Sequence, residues 1–260
     1  MRVAIAGKGG TGKTTISGTL ARILARRGRN VLAVDADTTP NLAVTLGIPP
    51  QQAQEMMDLP RNMMERQQQP DGTVKAIFTA DAEQIIAEYS AHGPDGVRLL
   101  VMGKVDHAGV GCLCGAHAAV RGLLGELVRK NVTDRDVIVD MEAGLEHLSR
   151  GTGRHLSRFV ATVEPYYRSM ETARRVSALA TELGIGDVLA IANKVRDAGD
   201  RKAIIEFCAA HSLKLVGEIP YDPTVLEAER AGQTPIDYAP ESPAVRAIGQ
   251  LADTLSAAAA

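Results

Sequence analysis

Gly7-Lys8-Gly9-Gly10-Thr11-Gly12-Lys13-Thr14-Thr15 is the stretch on which the reading of this chain turns. The apolar run Val3-Ala4-Ile5-Ala6 precedes it and reads as a short buried strand. Ile16 to Ala25 follows with the apolar spacing of a helix. Strand, glycine-rich turn and helix are the context in which a phosphate-binding loop works. The glycines let the backbone wrap closely, so that the N–H groups of Gly9, Gly10, Thr11, Gly12 and Thr15 point inward at an anion. The helix start adds unpaired donors and the positive end of the helix dipole. Lys13 is placed to reach the β- and γ-phosphates of a nucleotide, and the Thr14 hydroxyl to meet Mg²⁺. Lys8 is not needed for such a cradle and on its own reads as a solvated loop lysine.

Later strands end in groups suited to the same ligand. Asn30 to Asp35 reads as a second strand closing in Asp35-Ala36-Asp37, and ligands of open α/β sheets sit at strand carboxyl ends. Asn41 is the expected cap of a helix beginning near Leu42, which leaves Asp37 available for chemistry. Asp136 to Asp140 is a fourth strand. Asp140 is either a strand-end cap or a group that holds Mg²⁺ directly or through water. Ala143-Gly144 forms a turn whose backbone is able to sense a γ-phosphate, as switch segments do. Further strands are read at Phe159–Glu164, Val188–Lys194 and Lys214–Pro220. Asn193 is a turn former or an amide that reads a base edge, with Lys194 beside it. Pro220, Tyr221 and Asp222 form the loop after the last strand. Helices are expected over Arg168–Leu183, Leu226–Gly232 and Ala244–Leu255. Strands alternating with helices imply an α/β fold, a mostly parallel sheet with helices on both faces. No linker or repeat divides it, so residues 1–260 read as one domain.

Two regions fit less simply. Residues 49 to 95 read as an insertion covering one end of the sheet, with Met56, Met57, Met63 and Met64 expected on amphipathic helices. Val97 to Gly103 is the third strand. The loop from Lys104 to Gly115 holds Cys112 and Cys114, just before a helix from Ala116 to Lys130. Thiols at a helix start are acidified, and thiolate is the metal-binding form. Two cysteines do not complete a tetrahedral site. They are small buried residues, a strained redox pair, or half of a site shared across a two-fold dimer around one soft divalent ion. His107 and His117 are neighbouring alternative ligands, though each reads first as a surface or capping histidine. Cys208 sits in a helical stretch and reads as core.

The chain has 260 residues and a formal net charge of −2, which gives no global pull toward nucleic acid or anionic membrane. Its 3% aromatic content argues against base-stacking platforms. Three cysteines do not make a disulfide framework and suit a reducing cytosol. No signal peptide or spanning segment is legible, so a cytoplasmic location without membrane insertion is expected.

The loop with its extra lysine resembles the deviant Walker A loop of the MinD, ParA, ArsA and nitrogenase iron-protein superfamily. That resemblance implies that Lys8 reaches the nucleotide of a second subunit, that Asp37 positions or activates the attacking water, that Asn193 contacts the base and that the Tyr221 loop lies over it. Asp140-Met141-Glu142-Ala143-Gly144-Leu145-Glu146-His147, taken with Cys112-x-Cys114, looks like the CooC family. These are nickel-insertion ATPases of carbon monoxide dehydrogenase, close to the accessory proteins of acetyl-CoA synthase. The resemblance implies an ATP- and Mg²⁺-dependent homodimer that holds Ni²⁺ or Zn²⁺ between the Cys112 and Cys114 pairs and serves a nickel enzyme as client. Two other classes stay open. One is a partitioning or positioning ATPase; the cation-poor tail from Leu251 lacks the basic face a membrane helix uses. The other is an electron carrier with a bridging iron–sulfur cluster.

Overall fold

The computed structural model describes residues 1–60, 63–68, 71–103, 114–130, 134–143 and 155–257. β1 (Arg2–Gly7) leads through the glycine loop to α1 (Lys13–Arg26) and β2 (Asn30–Ala36). α2 (Leu42–Leu46) and α3 (Pro50–Glu55) precede a hairpin of β3 (Met64–Gln68) and β4 (Val74–Phe78). α4 (Ala82–Tyr89), β5 (Ala91–His92), β6 (Arg98–Val101), α5 (Cys114–Arg129), β7 (Arg135–Met141) and β8 (Arg158–Val163) follow. The chain continues through α6 (Tyr167–Glu182), β9 (Asp187–Val195), α7 (Ala198–Ala210) and β10 (Lys214–Pro220). It closes with α8 (Pro223–Arg230), α9 (Pro235–Tyr238) and α10 (Pro243–Ala257).

Among the described residues the strands form an eight-stranded sheet in the order β10-β9-β8-β1-β7-β2-β6-β5, and β3 pairs only with β4. Within the eight-stranded sheet pairing is parallel except at the β5–β6 edge, and β3–β4 is antiparallel. β1 lies mid-sheet between β7 and β8, so the glycine loop emerges at the centre of the carboxyl edge.

The expected α/β architecture is present, and strand periodicity explains it. Val3 and Ile5 of β1 pack with Ile16, Leu20 and Leu24 of α1 and with Ile248, Leu251 and Leu255 of α10. Ala4 and Ala6 face the other way, into a cluster that includes Leu123 and Leu127 of α5 and Val176 of α6. Successive residues of a strand point to opposite faces, so each buried strand feeds two cores and reads as a continuous apolar run. Cys208 is buried in the second cluster, as its sequence context suggested.

The region from 49 to 95 departs from expectation. Met64 opens a β-strand and Met63 is buried beside it, so the amphipathic-helix reading fails for both. Met56 follows the end of α3 and packs on the α1 side of the sheet, and Met57 is exposed. The hairpin packs on α5, where a β-carbon added to Gly122 would lie 2.4 Å from the Phe78 ring. The hairpin turn contains Asp71-Gly72, with Gly72 at φ +81° and the Asp71 carboxylate accepting the Thr73 N–H at 2.9 Å. No described helix is long and apolar enough to cross a membrane.

Candidate functional site

The glycine loop is shaped by backbone angles that side chains resist. Gly10 and Gly12 have φ of +82° and +87°, and Gly12 caps α1. A β-carbon on Gly12 would lie 2.5 Å from the Asn193 amide nitrogen. α1 begins at Lys13, earlier than its apolar spacing suggests, because the polar residues Lys13, Thr14 and Thr15 form its first turn, with Lys13 buried.

Three carbonyls of the loop are tied down by side chains. Thr11 Oγ1 and Lys13 Nζ donate to the Lys8 carbonyl at 2.8 and 3.2 Å. Lys194 Nζ donates to the Gly10 carbonyl and Asn193 Nδ2 to the Thr11 carbonyl, both at 2.6 Å. The Thr11 N–H also donates to the Lys8 carbonyl, at 3.3 Å, so it is spent on closing the turn and the expectation that it points at an anion fails, whereas among the described residues no such bond engages the N–H groups of Gly9, Gly10 and Gly12. Lys194 has φ +57°, a conformation a lysine adopts only where its surroundings enforce it. Its ammonium also pairs with Glu164 at 2.9 Å, and Glu164 accepts the Tyr166 hydroxyl. Burial and that bond to Glu164 push the Tyr166 phenol up to about 12. Lys8 Nζ lies 5.9 Å from the centre of the same ring, inside cation–π range.

Two acids meet at the ends of neighbouring strands, where Asp35 of β2 stands in register with Asp140 of β7. Asp140 accepts Ser17 Oγ at 3.0 Å and is hydrogen-bonded to the Thr14 hydroxyl. Burial first, then the negative charge of Asp35, push Asp140 up to about 7. Burial raises Asp35 to about 6, against the pull of the Leu42 and Asp37 N–H groups. Lys13 is lowered by burial, while Asp140 and Asp37 draw it back up. The Thr14 hydroxyl and the Asp140 carboxylate form an oxygen donor set, which suits a hard cation such as Mg²⁺.

Asp35 also corrects the capping expectation. Asn41 occupies the N-cap position of α2 but makes no side-chain cap bond; its amide donates to the Thr39 carbonyl at 2.7 Å. Asp35 Oδ2 instead accepts the Leu42 N–H at 2.8 Å, and Oδ1 accepts the Asp37 N–H at 3.1 Å. A strand-end acid therefore fixes the loop that carries Asp37.

A cavity of about 500 Å³ opens beside the loop, lined by Lys13, Thr14, Thr15, Asn193, Lys194, Arg196, Pro220, Tyr221 and Asp222 among others. Ile16, Ile219, Val225, Leu226, Val245 and Ile248 form its apolar wall. Arg196 stacks over the Tyr221 ring at 4.5 Å from its centre, a contact no local motif announces. Asp222 lines the cavity with its carboxylate engaged, since Oδ1 accepts the Thr224 N–H and Oδ2 the Ala244 N–H, each at 3.0 Å. Asn193 reaches the cavity with its amide nitrogen already given to the loop.

The sequence-predicted site residues thus divide. The loop from Lys8 to Thr15, Asp140, Asn193, Lys194, Pro220, Tyr221 and Asp222 converge at the carboxyl edge of the sheet, with Asp37 on the adjoining loop. Cys112, His107 and Gly144 lie outside the described residues, and Cys114 is the first residue of α5. His117 is buried in the first turn of α5. Among the described residues no group of three or more His, Cys, Asp or Glu is arranged to hold a metal ion.

Known proteins resemble this chain in sequence and in fold. The family model of the CbiA-type, CobQ/CobB/MinD/ParA nucleotide binding domain matches residues 3–236. The chain is 37% identical over 243 residues to the carbon monoxide dehydrogenase accessory protein CooC of Rhodospirillum rubrum, covering 92% of this chain and 91% of that protein. It is 35% identical to an uncharacterized ATP-binding protein of Methanocaldococcus jannaschii, covering 90% of each. Among solved structures, the septum site-determining protein MinD of Pyrococcus horikoshii, complexed with Mg-ADP, superposes with a TM-score of 0.74 at 23% identity. That superposition covers 99% of this chain and 96% of the other.

Proposed function

The chain belongs to the CobQ/CobB/MinD/ParA nucleotide-binding family and is an ATPase, and on that premise we propose that it uses ATP to assist nickel insertion into a carbon monoxide dehydrogenase or a related nickel enzyme. The observation that carries the client is the 37% identity to a carbon monoxide dehydrogenase accessory protein across nine-tenths of both chains. Residues 1–260 act as one domain in this reading.

The phosphates of ATP lie in the nest of N–H groups between Gly9 and Thr15, with the base along the apolar wall toward Tyr221. Lys13 gives its ammonium to the β- and γ-phosphates; its burial makes that charge costly without an anion and so favours a bound phosphate. Lys8 adds a second positive charge on the same loop or on that of a partner protomer. Thr14 would hold Mg²⁺, with Asp140 behind it through water, and the ion would neutralise phosphate charge. Asp37 orients the attacking water, and preorganised donors stabilise the charge that develops on the transferred phosphoryl group. Asn193 and Lys194 keep the loop carbonyls turned away from the phosphates.

Nickel is cargo in this account. Cys112 and Cys114 of two protomers supply four thiolates, a donor set that takes Ni²⁺ or Zn²⁺. ATP closes the dimer and completes the set, and hydrolysis opens it. The test is activation of nickel-free carbon monoxide dehydrogenase by Ni²⁺ at limiting concentration. Wild type with ATP is expected to activate it, and Lys13→Ala and Cys112→Ser/Cys114→Ser are expected to fail. Equal activation by all three would overturn the proposal.

A further inference from the structure

Asp37 is held by contacts on both sides. Its own N–H donates to Asp35 Oδ1 at 3.1 Å, and its carboxylate Oδ1 accepts the Thr39 N–H at 2.8 Å. Both contacts lie within the same strand end and loop. The next residue, Thr38, does something different. Its Oγ1 donates to Glu142 Oε1 at 2.9 Å, across to the segment that follows β7.

The placement of that bond matters. Backbone pairing of β2 with β7 ends at Ala36 opposite Met141. The Thr38–Glu142 contact continues the connection past the end of the ladder, through side chains. Glu142 is followed by Ala143, whose side chain lies 3.5 Å from where a β-carbon on Gly9 would stand. The Glu142-Ala143 dipeptide therefore lies beside the phosphate loop on one side and is bonded to the Asp37 loop on the other. Thr38 is β-branched and stiff at χ1, which suits a fixed hook better than a flexible side chain would.

We propose that the Thr38–Glu142 hydrogen bond, added to the local contacts made by Asp35, holds Asp37 in register with the phosphate loop for hydrolysis, with Glu142 a positioning residue that ties the Asp37 loop to the segment against the phosphate loop. The inference rests on the reading of Asp37 as the residue that orients water. A loose Asp37 loop lets the water drift from the in-line position while leaving the phosphate nest intact. The clasp therefore acts on turnover and leaves nucleotide binding alone.

The experiment is single-turnover ATP hydrolysis by the full chain, with the affinity for a non-hydrolysable ATP analogue measured on each variant. Thr38→Val keeps the shape and removes the donor. It is expected to slow hydrolysis about tenfold or more with analogue affinity within about twofold of wild type. Thr38→Ser restores the hydroxyl and is expected to recover most of the rate. The double variant Thr38→Val/Glu142→Leu is expected to be no slower than Glu142→Leu alone, because both remove one contact. Unchanged analogue affinity reports an intact fold in each case. Wild-type rates for Thr38→Val, or losses that multiply in the double variant, overturn the clasp. Asp37→Ala, run alongside, separates the two ideas. If it is slow while Thr38→Val is not, the clasp alone fails; if it turns over like wild type, the reading of Asp37 fails and the clasp with it.

Discussion

The phosphate loop and the β3–β4 hairpin are both excursions from the sheet, yet they are held in opposite ways. Three carbonyls of the loop, those of Lys8, Gly10 and Thr11, are each fixed by side-chain donors, two of which come from β9. The hairpin pairs only with itself among the described residues and rests on α5 through apolar contact, with Phe78 seated over Gly122. A two-stranded hairpin is marginal alone, so its stability is borrowed from that packing. Polar bracing fixes the turns of the loop backbone before a ligand arrives, whereas apolar packing sets only that two surfaces meet. The first suits chemistry on phosphate, and the second suits a surface that can differ between relatives without disturbing that chemistry.

The comparison breaks most decisively at Lys13. Lys13→Ala should lower kcat/KM for ATP by about a hundredfold or more in steady-state assays, since it removes the charge that the proposal assigns to the phosphates. Gly12→Ala comes next. Its β-carbon would collide with the Asn193 amide at a φ of +87°, and calorimetry should show ATP affinity weakened by about 1–3 kcal/mol. The hairpin offers the converse. Gly122→Val overfills the Phe78 contact and should cost about 1–3 kcal/mol of stability in urea unfolding, with the ATP affinity of the folded protein unchanged. A loss of ATP affinity in that variant would break the division between the two regions.

The smallest expected effect concerns pH. Asp140 and Asp35 sit at about 7 and about 6 in the fold, above the ordinary aspartate value of 3.8. The folded state therefore holds more protons than the unfolded one between about pH 4 and pH 7. The stability these groups contribute at low pH is lost as pH rises through that window. Thermal melts of the nucleotide-free chain should show this decline, and Asp140→Asn should flatten it. A slope unchanged by the substitution would remove the Asp35–Asp140 pair from the account.

What was legible in the sequence follows the same division. The loop could be read because its strand, glycines, lysine and helix are contiguous, and Asp35 and Asp140 because each ends an apolar run. The capping of α2 was misread because the acceptor is Asp35 at the strand end and not the adjacent Asn41. Bracing by Lys194 went unread because Gly10 and Lys194 meet only through the parallel order of β1, β8 and β9. The hairpin was missed because Met64-Glu65-Arg66-Gln67-Gln68 lacks the alternation of a half-buried strand. Asp71-Gly72 was the available signal, a turn pair that favours hairpins. The Phe78–Gly122 contact, which decides where the hairpin sits, joins residues that no local pattern relates.

The central claim, that nucleotide state governs a thiolate metal site, is tested most directly by anaerobic Ni²⁺ titration of the full chain with and without a non-hydrolysable ATP analogue. Thiolate-to-nickel absorption and molecular mass are followed together, beside Cys112→Ser/Cys114→Ser. The account predicts one nickel per dimer, tighter with the analogue and absent from the double variant. An absorption band that survives in the double variant, or nickel binding indifferent to the analogue, would contradict it.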